Sequence, residues 1–341
     1  MIFININMED IMKKKFSTIL TLVALTCALL VGCSNNKGKD TASSEEGVNW
    51  PTDTVTVVVP YGAGGDTDTY ARQMALQLQK ELNQNFVVVN TTGAAGVVGA
   101  SSVLDAKPDG NTMLFNHTGA SLSQEAANAN EFSFLDDFET VASVAEDDTY
   151  TLLAKKGSKW DSLDKMIAWA KENPGKLRYS STYYGATHAV ATQMEKTMGI
   201  ELDKIDVGSS TSERLTSFIQ DQCDIIVVNF MNVADYVEKG DFVVLGVCSD
   251  ERLKGLEEFP TLKEQGYDVV MPKIYEVRFP KGTDQAIVDK LSESIKKVTE
   301  SEEFKSTLEK YYAKSLYRDG KTSIEEDKLE VQRLKDLFGI K

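Results

Sequence analysis

Residues 54–68 read Thr-Val-Thr-Val-Val-Val-Pro-Tyr-Gly-Ala-Gly-Gly-Asp-Thr-Asp, in which an apolar, β-branched run leads into a glycine-rich loop. The run at 54–60 predicts a buried β-strand. Directly after the loop, Tyr70, Met74 and Leu78 recur four residues apart, which is the spacing of one face of an α-helix. This stretch therefore predicts a strand, a loop and a helix in succession.

The same order of strand, loop and helix returns further along the chain. Strand-like runs precede loops rich in Gly, Ser or Thr at 86–90, 112–116, 177–181 and 206–207. Such alternation is typical of parallel β-α-β units and predicts an α/β fold. Ligands of open α/β sheets bind beyond the carboxyl ends of the strands, so these loops form the candidate site. The last helical patterns, up to residue 338, predict an outer cover.

The loop at 61–66 combines an accessible backbone with the start of a helix. Its three glycines lack a Cβ atom, so a ligand can approach the main chain closely. A helix N-terminus adds unpaired N–H groups and about half a positive charge, which favours an anion. Asp66, Thr67 and Asp68 are residue types that cap helices, so an ordinary capped turn is the alternative interpretation.

Two nucleotide-binding motifs do not fit this loop. The dinucleotide fingerprint G-x-G-x-x-G fails because Thr67 stands where the third glycine belongs. A phosphate loop would need Gly-Lys-Ser/Thr, which is absent here. Asp68 would also repel a pyrophosphate. A monoanionic carboxylate is the ligand that this loop favours.

An export signal precedes the folded part of the chain. Met12 is followed by three lysines, an uncharged run up to Val31, and Gly32-Cys33. This pattern predicts a lipoprotein signal peptide at 1–32, with Cys33 as the lipid-bearing first residue and a polar tether at 33–49. Residues 1–11 have no place in such a signal, which favours a translation start at Met12. A short transmembrane anchor is the alternative.

Composition excludes several classes of protein. With 37 basic and 52 acidic residues, the net charge is −15, which is unsuited to nucleic acid. Only Cys223 and Cys248 lie beyond the leader and Cys33, and both adjoin apolar runs, so buried free thiols are favoured over one disulfide. His117 and His188 are the two histidines, and no nucleophile or metal-ligand cluster accompanies them. The sequence therefore predicts no catalytic residue, no metal site and no cofactor.

A family resemblance rests on motifs that follow one another through nearly the whole chain after the tether. They include Val58-Val59-Pro60-Tyr61, Gly64-Gly65 with Asp68, Asn90 with Gly93-Ala94, Lys107-Pro108-Asp109-Gly110, Pro174-Gly175-Lys176-Leu177 and Phe259-Pro260-Thr261-Leu262. In these residues the chain resembles the receptors of tripartite tricarboxylate transporters, also called Bug proteins.

The resemblance implies a fold, a ligand and a partner. That family is similar in fold to type II periplasmic binding proteins, in which two α/β domains surround a ligand cleft. It binds organic carboxylates and delivers them to a membrane permease, and main-chain amides of the first two loops hold the carboxylate. The candidate ligand-binding residues are Tyr61, Gly62, Ala63, Gly64, Gly65, Asp68, Gly93, Ala94, Ala95, Gly96, Thr118, Thr182, Tyr183, Thr211, Arg214 and Asn229.

The chain departs from the family pattern in the predicted walls of the site. Thr91-Thr92 stand where a basic residue and a proline are usual, and Ser209-Ser210 replace a common Tyr-Lys pair. Tyr183 falls where the third loop usually has glycine. The identity of the carboxylate is therefore the property that transfers least from the family.

Three residues keep two interpretations each. Arg214 lies where a guanidinium can bind a ligand carboxylate, although a solvated helical arginine is favoured. His188 is favoured as a hydrogen-bonded residue at a helix start over a catalytic group. Tyr183 could line the ligand site or pack against other residues.

The predicted protein is a lipid-anchored, extracytoplasmic, monomeric receptor for a small organic carboxylate, working with a tripartite tricarboxylate-type permease. One domain is expected from residues 50–150 with 249–341, and the other from 151–248, with the hinge at their junctions. The receptor of an ATP-driven importer is the first alternative, and an exported α/β enzyme is the second.

The export signal makes one testable prediction. Cys33→Ser removes the sulfur that would carry the lipid, so the variant should stay unprocessed or leave the membrane fraction. Mass spectrometry and membrane fractionation measure both outcomes, with Cys27→Ser in the leader as the matched control. An unchanged mass and full membrane retention of the Cys33 variant would contradict the prediction.

Overall fold

A computed structural model describes residues 48–340. The predicted signal peptide, Cys33 and the predicted tether up to residue 47 lie outside the described residues. The strands are β1 (Val55–Val59), β2 (Phe86–Asn90), β3 (Thr112–His117), β4 (Phe138–Asp147), β5 (Tyr150–Lys155), β6 (Leu177–Ser181), β7 (Leu202–Asp206), β8 (Ile225–Asn229), β9 (Phe242–Val247), β10 (Lys273–Pro280) and β11 (Lys314–Asp319). The helices are α1 (Asp66–Leu82), α2 (Val97–Leu104), α3 (Thr118–Ala126), α4 (Leu163–Glu172), α5 (Ala186–Met198), α6 (Thr211–Ile219), α7 (Ala234–Glu238), α8 (Gln285–Glu300), α9 (Glu302–Glu309) and α10 (Gly320–Phe338).

The described residues build two mixed β-sheets, each with helices packed against it. The six-stranded sheet has the order β11-β4-β10-β3-β1-β2, and the five-stranded sheet has the order β7-β6-β8-β5-β9. We call the first sheet and its helices lobe 1, and the second sheet and its helices lobe 2. The predicted α/β fold with two domains is confirmed.

The stretch at 54–68 lies at the centre of lobe 1. Strand β1 pairs in parallel with β2 on one side and β3 on the other. Its valines are buried because helices cover both faces of a parallel sheet. Helix α1 begins at Asp66 and buries Tyr70, Met74 and Leu78 on one face, as their spacing predicts.

The sheets also contain antiparallel strands that the strand-loop-helix pattern does not reveal. Strand β10 runs antiparallel between β3 and β4, and β11 is antiparallel to β4. In lobe 2, β6 is parallel to β7 and β8, whereas β5 is antiparallel to β8 and β9. The expectation of parallel units therefore holds for part of each sheet only.

The chain passes between the lobes in two places. Strand β4 of lobe 1 ends at Asp147, and β5 of lobe 2 begins at Tyr150. The return lies between Val247, where β9 ends, and Lys273, where β10 begins. The domain boundaries predicted after residues 150 and 248 stay predictions.

Both cysteines of the described region are buried free thiols, which confirms that expectation. Burial raises the pKa of the Cys248 thiol to about 12.

Among residues 48–340, no helix has the length and apolar character that crossing a bilayer requires.

Helix α10 connects the two lobes. Close to its middle, Asp327 accepts a hydrogen bond of 2.6 Å from the buried Arg278 of β10 in lobe 1. Further along, Val331 and Leu334 belong to the buried apolar cluster that contains Val190 of α5 in lobe 2. The predicted outer cover therefore also packs across the lobe boundary, because its apolar face extends to the last turns.

Leu334→Ala should lower the free energy of unfolding by about 2–5 kcal/mol, since it leaves a cavity at a fully buried position. Leu329→Ala on the same helix is the matched control, because Leu329 is 73% exposed. The control should change stability by less than about 0.5 kcal/mol. Chemical denaturation measures both, and equal effects of the two variants would contradict the packing described for α10.

Candidate ligand-binding site

Within the described residues, four helices begin at the boundary between the lobes. Helices α1 and α3 start in lobe 1 at Gly65 and His117, and α5 and α6 start in lobe 2 at Gly185 and Ser210. Their first turns border an enclosed space of about 30 Å³, which we call the inner cavity. No side chain caps α1 or α5, so their first N–H groups favour an anion.

Arg214 is the basic side chain that borders the inner cavity. It is only 4% exposed, so the favoured expectation of a solvated helical arginine is wrong. Its terminal nitrogens donate to Thr211 Oγ1 at 3.1 Å and to Thr182 Oγ1 at 3.4 Å. Among residues 48–340, Nε has no hydrogen-bond partner, and the side-chain partners of the guanidinium are the two threonine hydroxyls, with no carboxylate. A buried, unpaired cation is costly, so this arrangement favours an anionic ligand.

Asp66 does not cap α1, contrary to the expectation from its residue type. Its carboxylate accepts hydrogen bonds from Lys273 Nζ at 2.6 Å and from Tyr275 Oη at 2.5 Å. Thr211 of lobe 2 donates to the other oxygen at 3.2 Å. Burial opposes ionisation of Asp66, but the Lys273 charge outweighs it and holds the pKa below its usual range. The carboxylate thus pairs with Lys273 and makes no capping hydrogen bond to α1.

His117 lines the inner cavity as a neutral group. Its Nδ1 accepts a hydrogen bond of 3.3 Å from Ala120 N and so caps α3. Burial, together with the nearby Lys273 charge, lowers the pKa of His117 to about 3. Its ring stacks on Tyr61 with 5.0 Å between the ring centres. His117 therefore supplies shape and a hydrogen-bond donor at Nε2, but no positive charge at neutral pH.

Asp68 holds the first loop together from outside the inner cavity. One of its oxygens accepts from Gly64 N at 2.9 Å, and the other accepts from Asn90 Nδ2 at 3.0 Å. Arg72 pairs with the same carboxylate at 2.8 Å. Burial opposes the charge on Asp68, but Arg72, Gly64 and Asn90 together lower its pKa. The Gly64 amide is therefore engaged within the loop.

The second loop has a strained backbone. Four consecutive residues have positive φ angles: Gly93 at 139°, Ala94 at 43°, Ala95 at 55° and Gly96 at 101°. The two alanines are in a region that disfavours residues with a Cβ atom. Gln124 Nε2 donates to Ala95 O at 2.7 Å and supports the loop. Strain that is held by neighbouring groups is concentrated at binding sites, which makes this loop a candidate binding element.

A larger, open space of about 520 Å³ continues outward, and we call it the outer cavity. It shares Ala95, Thr182 and Ser209 with the inner cavity. Tyr183 and Tyr184 line it and are 51% and 41% exposed, with their ring centres 5.7 Å apart. The two cavities thus adjoin each other at the boundary between the lobes.

The structure brings together most of the candidate residues, and their binding role stays a prediction. Those bordering the inner cavity are Tyr61, Gly62, Gly65, Ala95, Thr182, Thr211 and Arg214. Those bordering the outer cavity are Gly93, Ala94, Ala95, Thr182 and Tyr183. Ala63, Gly64, Asp68, Gly96, Thr118 and Asn229 border neither.

Two of the residues outside the cavities have structural partners. Thr118 Oγ1 accepts from Ile274 N at 3.0 Å. Asn229 Oδ1 accepts a hydrogen bond from Lys273 Nζ at 2.5 Å, and Asn229 Nδ2 donates one to Asp147 Oδ2 at 2.5 Å.

Sequence reasoning missed several residues that line the cleft, among them Asp66 as an ion-pair partner, His117, Tyr150 and Ser209. The start of α5 at Gly185–Thr187 is also in the inner cavity. Gly185 directly before a helical pattern was a usable signal, because the first loop has the same arrangement. His188, one turn further on, accepts from Tyr184 N at 3.1 Å, so it is hydrogen-bonded at the helix start as expected.

Two α/β lobes around a cleft that favours an anion define a two-lobed solute-binding protein. Residues 70–337 match the profile of the family described as tripartite tricarboxylate transporter family receptor. This match covers more than half of the chain, so the protein belongs to that family. It is a solute-binding receptor and not an enzyme.

Individual proteins are similar to this chain in sequence or in fold. BugT of Bordetella pertussis is 28% identical over 256 residues, covering 74% of this chain and 78% of BugT. R. palustris Rpa4515 with adipate is similar in fold, with a TM-score of 0.79 and 24% identity over 85% of this chain and 97% of that one. MatC from Rhodopseudomonas palustris with bound malate has a TM-score of 0.78 and 24% identity over 84% of this chain and 99% of that one.

Gly65→Val should fold but lose ligand binding. Gly65 has an ordinary φ of −79°, and a Cβ atom there would meet Gly62 O at 3.6 Å and Thr211 Cβ at 4.0 Å. The branched side chain therefore extends into the inner cavity at a stability cost of about 1 kcal/mol for a poorer helix cap. Calorimetry and thermal unfolding measure the two effects.

Gly64→Ala is the matched control for this variant. Gly64 has a φ of +79°, but no atom lies within 4 Å of an added Cβ. The control should lose about 1 kcal/mol of stability to backbone strain and retain affinity. If Gly65→Val binds as tightly as the parent, the first loop does not form the anion site.

Proposed function

We propose that this protein is a lipid-anchored, extracytoplasmic receptor that captures a small organic carboxylate in the inner cavity and delivers it to a tripartite tricarboxylate-type permease. The observation that carries the carboxylate assignment is Arg214, a buried guanidinium with no carboxylate partner among residues 48–340. Family membership supports the permease partner. The motif ending in Cys33 supports the lipid anchor.

A carboxylate fits the hydrogen-bond donors of this site. Arg214 can donate from Nε along its planar fork, which matches the two oxygens of a carboxylate. The uncapped first turns of α1 and α5 add main-chain donors from both lobes. A ligand held by both lobes stabilises their closed arrangement. Rpa4515 and MatC, which share the fold, hold adipate and malate, and these ligands support the same chemical class.

Separation of the lobes would admit the ligand to the inner cavity. The inner cavity of about 30 Å³ accommodates about two water molecules, since each needs about 10–15 Å³. The Thr211–Asp66 and Lys273–Asn229 hydrogen bonds cross the boundary and hold the lobes together. We place the hinge at the junctions of residues 50–150 and 249–341 with residues 151–248, and the receptor acts as a monomer. Such hinge closure is a common mode of ligand capture.

The ligand class is tested by calorimetry of the mature protein with mono-, di- and tricarboxylates, with a sugar and a nucleotide for comparison. At least one carboxylate should bind without being converted to a product. Binding of the sugar or the nucleotide with no carboxylate bound would overturn the proposal.

Arg214→Gln should weaken carboxylate binding by about 10- to 100-fold, since charged hydrogen bonds contribute about 1.5–3 kcal/mol each. The melting temperature should stay the same or rise, because the substitution removes a buried unpaired charge. Arg214→Lys should recover part of the affinity, as it keeps the charge without the planar fork.

The matched control for Arg214 is Arg252→Gln, which changes the net charge equally at an exposed ion pair with Glu264. It should leave affinity unchanged. Parent-like binding by Arg214→Gln would show that the carboxylate is held elsewhere.

A further inference from the structure

The residues that line the outer cavity indicate which chemical group the end of the ligand away from the carboxylate has. We propose that the ligand is a zwitterion, with one carboxylate in the inner cavity and a positively charged group, an amine or a quaternary ammonium, in the outer cavity. This inference rests on the proposed function and narrows its ligand class. It follows from the charges on the two parts of the cleft.

The inner cavity matches one negative charge. Arg214 is the only Lys or Arg that borders it among the described residues. Lys273 lies nearby, but its ammonium is bound to Asp66 at 2.6 Å and to Asn229 at 2.5 Å. His117 is neutral at physiological pH, because burial and the Lys273 charge lower its pKa to about 3. A single carboxylate therefore balances the charge of this space.

The outer cavity is unsuited to a second carboxylate. Asp206 and Glu213 border it, whereas no Lys, Arg or His does among residues 48–340. Asp206 accepts a hydrogen bond from Gly208 N at 3.1 Å, and Glu213 accepts one from Ser210 N at 2.9 Å. These bonds orient both carboxylates, and neither carboxylate forms an ion pair with a Lys or Arg of residues 48–340. Because both side chains are exposed, they would weaken the binding of a second ligand carboxylate mainly at low ionic strength.

Two aromatic rings make the same cavity suited to a cation. Tyr183 and Tyr184 meet edge to face, with their ring planes 74° apart, and both rings are substantially exposed. Tyr184 is held in a left-handed conformation with a φ of 52°, which is unusual for a bulky residue. Aromatic faces beside carboxylates are typical of ammonium recognition. The outer cavity is thus suited to a positively charged ligand end, whereas the inner cavity is suited to a negatively charged one.

The ligand end is tested with a matched series of carboxylates of four to eight carbons. At each length, calorimetry at low ionic strength compares an unsubstituted chain with chains that end in a carboxylate, an amine or a trimethylammonium group. At the best length, the amine or trimethylammonium compound should bind about 3- to 10-fold tighter than the unsubstituted chain. The dicarboxylate should bind more weakly than the unsubstituted chain.

Asp206→Asn tests the charge directly, because asparagine retains the acceptor for Gly208 N. It should reduce the advantage of the cationic ligands by about 3-fold and relieve the penalty on the dicarboxylate. Asp203→Asn is the matched control, since Asp203 is exposed on the same strand and borders neither cavity. Tyr183→Leu should weaken trimethylammonium binding by about 2- to 5-fold more than it weakens binding of the unsubstituted chain.

The outcomes separate this inference from the proposed function. If a dicarboxylate or tricarboxylate binds tightest and Asp206→Asn behaves like Asp203→Asn, the zwitterion is wrong and the carboxylate receptor stands. If an unsubstituted chain binds tightest, the zwitterion is also wrong and the carboxylate receptor again stands. If no carboxylate of any kind binds, the proposed function itself fails.

Discussion

The buried ion pair between Lys273 and Asp66 is the interaction on which the cleft depends. Both side chains are almost fully buried, at 1% and 6% exposure, and their charged atoms are 2.6 Å apart. The pair joins the start of α1 to the start of β10, and Asn229 connects it to lobe 2. Removing either partner would leave a charge uncompensated in the interior, which typically costs about 3–5 kcal/mol. The pair also keeps the Asp66 carboxylate away from the first amides of α1.

This arrangement explains how a chain with a net charge of −15 can favour an anion in its cleft. Surface charges more than about 8–10 Å away are screened by salt, whereas buried groups act at short range. The local groups are Arg214 and the uncapped starts of α1 and α5. Thr211 connects the two charged centres, because its hydroxyl donates to Asp66 and accepts from Arg214. A change in the contacts of Arg214 can therefore alter the Thr211–Asp66 hydrogen bond between the lobes.

The two lobes contribute different properties to the cleft. Lobe 1 contributes the glycine loop before α1 and the strained loop at 93–96, both of which bring main chain close to the cavities. Lobe 2 contributes Arg214, the paired tyrosines and the acidic residues of the outer cavity. Main-chain N–H groups can bind the carboxylate of many different ligands. The side chains around the cavities are the groups that can distinguish one ligand from another by its remaining parts.

The sequence by itself determined the order of strand, loop and helix, the glycine loop at the end of β1, the buried thiols and the family. These features depend on residues close together in the chain, where periodicity and residue type are informative. Only the tertiary structure decided that Asp66 binds Lys273, 207 residues away, and does not cap α1. It also decided that Arg214 is buried, because helical spacing places a residue on a face but does not show what covers that face. Charges acquire their partners through such distant contacts, and that is why the electrostatics of the cleft could not be predicted from the chain alone.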